Sequence, residues 1–288
     1  MSANRNKLLL IAILGLIWGS SFILIKRGLV GLTPYQLGSL RMVCAGLFFM
    51  VVGFKTLPKI PLEKWKYIVL TAFFGSFLPA FLFAIAQTHI SSTISSIMNA
   101  LTPLNTLLIG IVLFALDYKR TQVLGVFIGL AGCILLITGG EGGQSGNNNW
   151  FALLAFAGAV CYAININLLK KYLSDLSPLT IATGNFAAML LPCLCILFFS
   201  GFFEQWHEAK VQHATGFVAL LGILGTGIAN LLFYRLIKVS TPVFASSVTY
   251  LIPIVAFFWG VLDGETLSVW QALGAVIVLA GVYLSSRK

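Results

Sequence analysis

Ten apolar runs, each about as long as a bilayer crossing, follow one another with only short connections between them. They lie approximately at 8–26, 35–54, 67–88, 92–115, 122–138, 150–169, 178–200, 216–236, 242–262 and 268–285. A spanning helix needs about 20 apolar residues, so these runs leave no room for a soluble catalytic domain. An eight-helix count, with two short spans merged, is the rival reading. Charged residues make up only 9% of the 288, where a soluble domain would carry about a quarter. The fold class expected is an all-α polytopic membrane protein.

The net charge of +10 raises the question of nucleic acid, and its distribution answers it. With the N-terminus inside, the inner side collects Arg5, Lys7, Lys55, Lys59, Lys64, Lys66, Lys119, Arg120, Lys170, Lys171, Arg235, Lys238, Arg287 and Lys288. The outer side collects only Lys26, Arg27 and Lys210, with Arg41 inside the second run. That is a positive-inside bias, with both termini in the cytoplasm. The basic balance reports topology, and no nucleic-acid partner is expected. The N-terminal run lacks a small-residue cleavage site and is read as an uncleaved first helix rather than a signal peptide.

One run carries an unusual polar stripe. Between Ser91 and Phe114 stand Ser92, Ser95, Ser96, Asn99, Thr102 and Thr106, spaced by three or four residues, with Pro103 among them. That spacing puts them on one helical face, and the proline removes a backbone hydrogen bond. A polar stripe beside a kink in a membrane-length segment points to a helix that faces water or a ligand.

The pattern then repeats after a flexible polar linker, GGEGGQSGNNNW (139–150). A shift of 144 pairs Thr33-Pro34 with Ser177-Pro178, Trp18 with Tyr162, Ser21 with Asn165 and Arg41 with Asn185. A shift of 150 pairs Gly75 with Gly225, Asn99 with Thr249, Pro103 with Pro253 and Gly110 with Gly260; a shift of 149 pairs Gly125 with Gly274 and Gly132 with Gly281. The division expected is a first repeat at 1–140, a linker at 141–149 and a second repeat at 150–288. Five spans per copy is an odd number, so the second copy must be inverted, giving ten transmembrane helices in two inverted five-helix repeats, N-in and C-in. Inverted repeats with broken helices meeting near mid-membrane are the architecture of secondary transporters.

The polar residues mark where a cavity is expected. Candidate substrate-binding positions are Trp18, Ser21, Ser96, Asn99, Tyr162, Asn165, Asn230, Tyr234, Thr249 and Tyr250, with Pro103 and Pro253 as matched bend points that let the two halves open alternately. Asparagine is costly to strand in lipid, so Asn99, Asn165 and Asn230 stand out, either as ligand contacts or as bonds between helices. Arg41, about two turns inside its helix, either snorkels to the outer interface or anchors a substrate carboxylate. The glycines at 125, 129 and 132 form a small-residue face for packing within the monomer.

Acid is missing from the middle of the runs. Asp117, Asp175, Asp263, Glu265 and the remaining glutamates fall at helix ends or in connections. No buried proton relay is visible; Asp263 and Glu265 are expected to cap a helix or meet solvent at the outer interface, with proton coupling at the outer mouth as the other reading. A strongly cationic solute would lack a counter-charge, and a polyanion would want several deep cations. A neutral or zwitterionic solute fits amides, hydroxyls and aromatic rings. His89, His207 and His213 lie at outer connections and the cysteines (Cys44, Cys133, Cys161, Cys193, Cys195) inside runs. Neither set has a metal or nucleophile spacing, so no enzyme, metal site or cofactor is expected.

The runs LIWGSSFILIK, TPYQLGSLR, ISSTISSIMNALTP and GETLSVWQALGAVIVLAGVYL resemble an EamA-type member of the drug/metabolite transporter superfamily, across nearly the whole chain. The second half departs from the pattern at Tyr162-Ala163-Ile164-Asn165 and at Asn185. The resemblance implies ten helices, alternating access, and a central cavity lined by the first, third, fourth, sixth, eighth and ninth. It implies a bacterial multi-pass protein of the inner (cytoplasmic) membrane that exports amino acids or related metabolites. Efflux of amphipathic drugs, or transport of sugars or nucleotide-like compounds, is the alternative. The partners expected are a small-molecule substrate and the lipid bilayer, with the protein a monomer or weak homodimer.

Overall fold

The computed structural model describes residues 2–90, 92–138, 150–262 and 269–286. Among them every regular element is helical. We label the segments α1 (Ser2–Gly28), α2 (Pro34–Gly53), α3 (65–86), α4 (92–114), α5 (Arg120–Thr138), α6 (Trp150–Tyr172), α7 (Pro178–Phe199), α8 (209–239), α9 (242–262) and α10 (Val269–Ser286). The linker proper, with Glu141, and Asp263, Glu265, Arg287 and Lys288 lie outside the described residues, as does Ser91.

Among the described residues, six helices are long and apolar enough to cross a membrane: Arg5–Gly28, Pro34–Lys59, Leu62–Ala86, Trp150–Tyr172, Pro178–Phe199 and Ala209–Val239. Met98–Phe114 and Pro242–Val255 are shorter apolar helices. Their outward faces carry large apolar side chains such as Val112, Leu191 and Phe199, each more than 60% exposed. In water such a surface would aggregate; in a bilayer it is solvated by lipid. The chain is a polytopic membrane protein.

Local chemistry sets where helices begin. Thr33 and Gln36 form a reciprocal capping box ahead of Pro34, satisfying donors that the first turn leaves orphaned. Gln36 Nε2 also donates to Ser200 O at 3.0 Å, fastening α2 to the turn after α7. Ser177 and Thr241 cap α7 and α9 through the side chain alone, accepting from Thr180 N and Phe244 N, and each is followed by proline at the first helical position.

Four segments are interrupted, in two matching pairs. α3 contains a π-helical turn at Phe73–Phe77 and α8 one at Leu221–Ile228, around Gly75 and Gly225. α4 breaks at Leu101, just ahead of Pro103, and α9 passes through a 3-10 turn at Ser247–Tyr250, ahead of Pro253. In α4 the proline has no N–H for the carbonyl of Asn99, and the Thr102 hydroxyl donates to that carbonyl instead, at 2.7 Å.

Helix pairing follows the same correspondence. α2 packs on α7, and α5 on α10. α3 packs on α6 as α1 packs on α8, and α4 packs on α6 as α1 packs on α9. Both self-matching pairs run antiparallel. Along α2 and α7, Gly46 faces Leu190, Phe49 stacks on Phe186 with ring centroids 5.1 Å apart, and Gly53 faces Thr183 and Leu179. Along α5 and α10, a β-carbon on Gly132 would lie 2.6 Å from Val278 N, and one on Gly281 would collide with the backbone of Gly129. The glycine face expected in the fifth run thus packs inside the monomer.

Candidate functional site

A cavity of about 790 Å³, counting any space that opens to solvent, lies where α1, α3, α4, α6, α8 and α9 converge, with α2 adding Arg41 to the wall. Its polar lining is Ser21, Arg41, Ser76, Asn99, Thr102, Asn165, Thr226, Asn230 and Thr249. Its apolar lining is mainly aromatic: Trp18, Phe22, Phe83, Tyr162 and Phe233, with Ile25, Ile166 and Ile252. The rings brace one another. Trp18 meets Phe233 edge-on at 4.9 Å, Phe22 meets Phe83 at 6.3 Å, and Phe83 stacks on Tyr162 at 5.8 Å.

The two π turns shape opposite walls. A π turn leaves a backbone carbonyl without its helical partner, and Trp18 Nε1 donates to Gly225 O at 2.9 Å. Gly225 admits Ser21, whose Oγ would lie 2.7 Å from any β-carbon there; on the other wall Gly75 faces the amide of Asn165. Larger residues at 75 or 225 would push Asn165 or Ser21 out of the wall.

Arg41 is the one cation among the lining residues, and none of them is acidic. It is partly buried, and both Nε (3.1 Å) and Nη2 (2.9 Å) donate to Thr226 Oγ1. It turns inward to α8 instead of snorkelling outward. The matching Asn185 is 1% exposed. With its amide turned to satisfy both ends, the two N–H groups of Nδ2 are shared among Thr71 Oγ1, Ile68 O and Ile181 O, and Oδ1 accepts from Tyr234 O–H at 3.0 Å.

Of the candidate positions, Trp18, Ser21, Arg41, Asn99, Tyr162, Asn165, Asn230 and Thr249 all line the cavity. The others lie off it. Ser96 is 1% exposed, outside the lining. Tyr234 bonds Asn185. Tyr250 donates to Val126 O at 2.8 Å and packs its ring over Gly129, so it holds α9 to α5. Pro103 and Pro253 shape their helices without lining the space. Phe22, Phe83 and Phe233 were not among the candidates; a phenylalanine facing a cavity has the same spacing as one facing a core.

Outside the cavity, lysines gather helix ends on the side that carries the C-termini of α4, α6 and α8. Lys170 Nζ donates to Ile237 O (3.1 Å) and Ser240 O (2.7 Å), and Lys171 Nζ to Phe114 O (3.0 Å). Lys64 Nζ donates to Tyr172 O at 2.8 Å and pairs with Asp175 at 2.9 Å. Cations at helix C-termini satisfy orphan carbonyls and oppose the negative dipole end. The hydrogen bond from Lys64 holds the exposed Asp175 carboxyl below its ordinary range. In the turn after α4, burial pushes the Tyr118 phenol up to about 12. It therefore stays a neutral donor to Asn167 Oδ1 or Thr106 O, each at 3.3 Å. Asn167 in turn donates to Thr106 O at 3.0 Å, locking α6 to α4.

Proteins similar to this chain in sequence are named as transporters. The model of the EamA-like transporter family matches the chain twice, over residues 5–138 and 149–287. An uncharacterized inner membrane transporter of Escherichia coli K12, YedA, is 29% identical over 95% of this chain and 90% of its own length. A probable amino-acid metabolite efflux pump of Salmonella typhimurium is 28% identical over 93% and 91%. A solved crystal structure superposes with a TM-score of 0.74 at 20% identity, covering 98% of this chain and 96% of its own, a likeness of fold. With a helical polytopic architecture, a cavity walled by both halves and a family model that spans nearly all of it, the chain belongs to the EamA-like transporter family.

Proposed function

We propose that the protein is a secondary transporter, an exporter, that moves amino acids or related small neutral or zwitterionic metabolites across the inner membrane by alternating access. The observation that carries this reading is the cavity: one arginine, no acid, three asparagines and a rim of aromatic rings, contributed by both halves of the chain. A relative named as an amino-acid metabolite efflux pump supports the substrate class.

The architecture proposed is ten spans in two inverted five-helix repeats, 1–140 and 150–288 about the 141–149 linker, with both termini inside. The matched π turns, the matched breaks before Pro103 and Pro253, and the antiparallel pairing of α2 with α7 and α5 with α10 support it. Alternating access follows if the halves exchange conformations about those turns.

The five rings favour one second reading, efflux of amphipathic drugs. Charge separates the two, since a cationic drug would meet Arg41 with no carboxylate among the lining residues to receive it. Counterflow of a labelled amino-acid panel in proteoliposomes tests the proposal. Accumulation of at least one neutral amino acid is expected. Accumulation of none, with exchange of a lipophilic cation instead, would favour the second reading.

A further inference from the structure

The hydrogen-bonding state of the cavity wall defines its ligand more narrowly than its composition does. The hydroxyl protons of Ser21, Thr102 and Thr249 are engaged on their own helices, donating to Ile17 O, Asn99 O and Ser246 O at 2.9, 2.7 and 2.9 Å. What these oxygens turn outward is lone pairs. The Trp18 N–H is held by Gly225 O, and one of the two N–H groups of Asn230 Nδ2 by Thr226 O at 2.8 Å. Asn165 Oδ1 is buried without any hydrogen-bond partner among the described residues, in a side chain 2% exposed that lines the cavity. A buried carbonyl oxygen without a donor is costly, and a ligand N–H would relieve it. Ser76 and Tyr162 hydroxyls can turn either way, and Asn99 adds an amide edge.

Arg41 is the opposite case. A guanidinium has five N–H donors. Nε and one N–H of Nη2 go to Thr226 Oγ1, which leaves the Nη1 edge without a partner among the described residues. A planar fork of this kind fits a carboxylate. At the matching place in the second half Asn185 is neutral and already engaged, so the cavity has one anion subsite and not two.

We propose that Arg41, oriented by Thr226, binds a single carboxylate, and that Asn165, with the outward lone pairs of Ser21, Thr102 and Thr249, receives an N–H-rich head. The solute is then a monocarboxylate that carries an ammonium or similar donor group, with its apolar part against the aromatic wall. This deepens the proposed function and rests on its reading of the cavity as a solute site. An amine lacking the carboxylate brings a second cation beside Arg41. A carboxylate lacking the amine leaves Asn165 without a donor.

Competition binding to the purified full-length protein in detergent tests this with two matched series. They are phenylalanine, 2-phenylethylamine and 3-phenylpropionate, and leucine, isopentylamine and 4-methylpentanoate, each competing with its labelled amino acid. The amines are expected to compete at least about tenfold more weakly than the amino acids, and the deaminated acids to fall between. Arg41→Gln is expected to lose about tenfold in amino-acid affinity, and Thr226→Val, which keeps the charge, to lose part of that. Asn165→Asp is expected to raise the affinity for the amines. Amines that compete as well as amino acids, or an Arg41→Gln variant that melts like wild type and binds undiminished, would overturn the anion subsite while leaving transport standing. Failure of both amino acids to bind wild type would overturn this proposal, and if counterflow also fails, the proposed function with it.

Discussion

The indole of Trp18 donates to the carbonyl of Gly225 at 2.9 Å, joining residues 207 positions apart. It joins α1 to the π turn of α8, and so links the first half of the chain to the second at cavity depth. A hydrogen bond of this kind contributes about 1 kcal/mol net, more when the abandoned acceptor stays buried. Trp18→Phe keeps an aromatic ring against Phe233 and removes the donor along with part of the indole's bulk. It is expected to lower thermal stability in detergent by about 1–2 kcal/mol and to slow transport more than Trp18→Tyr, as read from melting curves and initial rates.

The α5–α10 contact makes a sharper stability prediction. A β-carbon on Gly132 would lie 2.6 Å from Val278 N, against backbone that cannot rotate away. Overpacking of this kind costs about 1–3 kcal/mol or more, so Gly132→Val is expected to reduce the melting temperature and the yield of folded protein. Gly216, with nothing within 4 Å of its would-be β-carbon, is the control. Gly216→Ala is expected to be neutral or slightly stabilising, since alanine is the better helix former.

The lysines at the ends of α4, α6 and α8 lead to a prediction about conformational balance. Lys170 and Lys171 make three charge-assisted bonds to helix carbonyls, each contributing about 1.5 kcal/mol or more. Lys170→Met with Lys171→Met is expected to shift the equilibrium about tenfold or more toward the state in which these ends separate. Thiol-labelling of a cysteine introduced at Leu176 reads it. An unchanged labelling rate would mean that these bonds cap helices without holding the side closed.

The Lys64–Asp175 pair carries the pH dependence. Asp175 has its pKa lowered in the folded state, so its contribution is fully present above the unfolded carboxylate value, about 3.9, and is lost as pH falls through the folded value. Between pH 5 and 8 this pair is expected to contribute no pH dependence. The pair is exposed, so Asp175→Asn is expected to cost at most about 1 kcal/mol, with the difference from wild type vanishing in acid. Melting curves taken from pH 8 down to about pH 2 check it.

Pro103 and Pro253 follow their helix breaks at matching places. Alanine at either position would restore a backbone donor and favour a continuous helix. Each substitution is expected to cut counterflow rate severalfold while leaving binding affinity in place. Full transport by Pro253→Ala would show that its break plays no part in the exchange.

Much of this was legible beforehand because it rests on local chemistry. Thr33, Pro34 and Gln36 announce a helix start, and Pro103 a break, whatever surrounds them. The repeat pairings were legible because glycine and proline leave marks at fixed spacing. Orientation of large side chains was not. Tyr234 and Tyr250 stand on polar stripes, yet one reaches Asn185 and the other Val126, because long side chains find partners on neighbouring helices that spacing does not reveal. Asn167, two residues from Asn165, turns to Thr106 and seals α6 against α4, whereas Asn165 faces the cavity. Thr226 matters through Arg41, a partner 185 residues away.

If the space between the halves is the solute pathway, Asn99 and Asn230, which line it from one half each, must both matter to flux. Counterflow of the preferred labelled amino acid in proteoliposomes, with Asn99→Ala and Asn230→Ala beside wild type, tests it most directly. Flux in wild type and a loss of at least about fivefold in both variants, with folding intact, is the result expected, as about 1 kcal/mol of lost contact at each amide requires. Wild-type flux that both variants retain in full would contradict it.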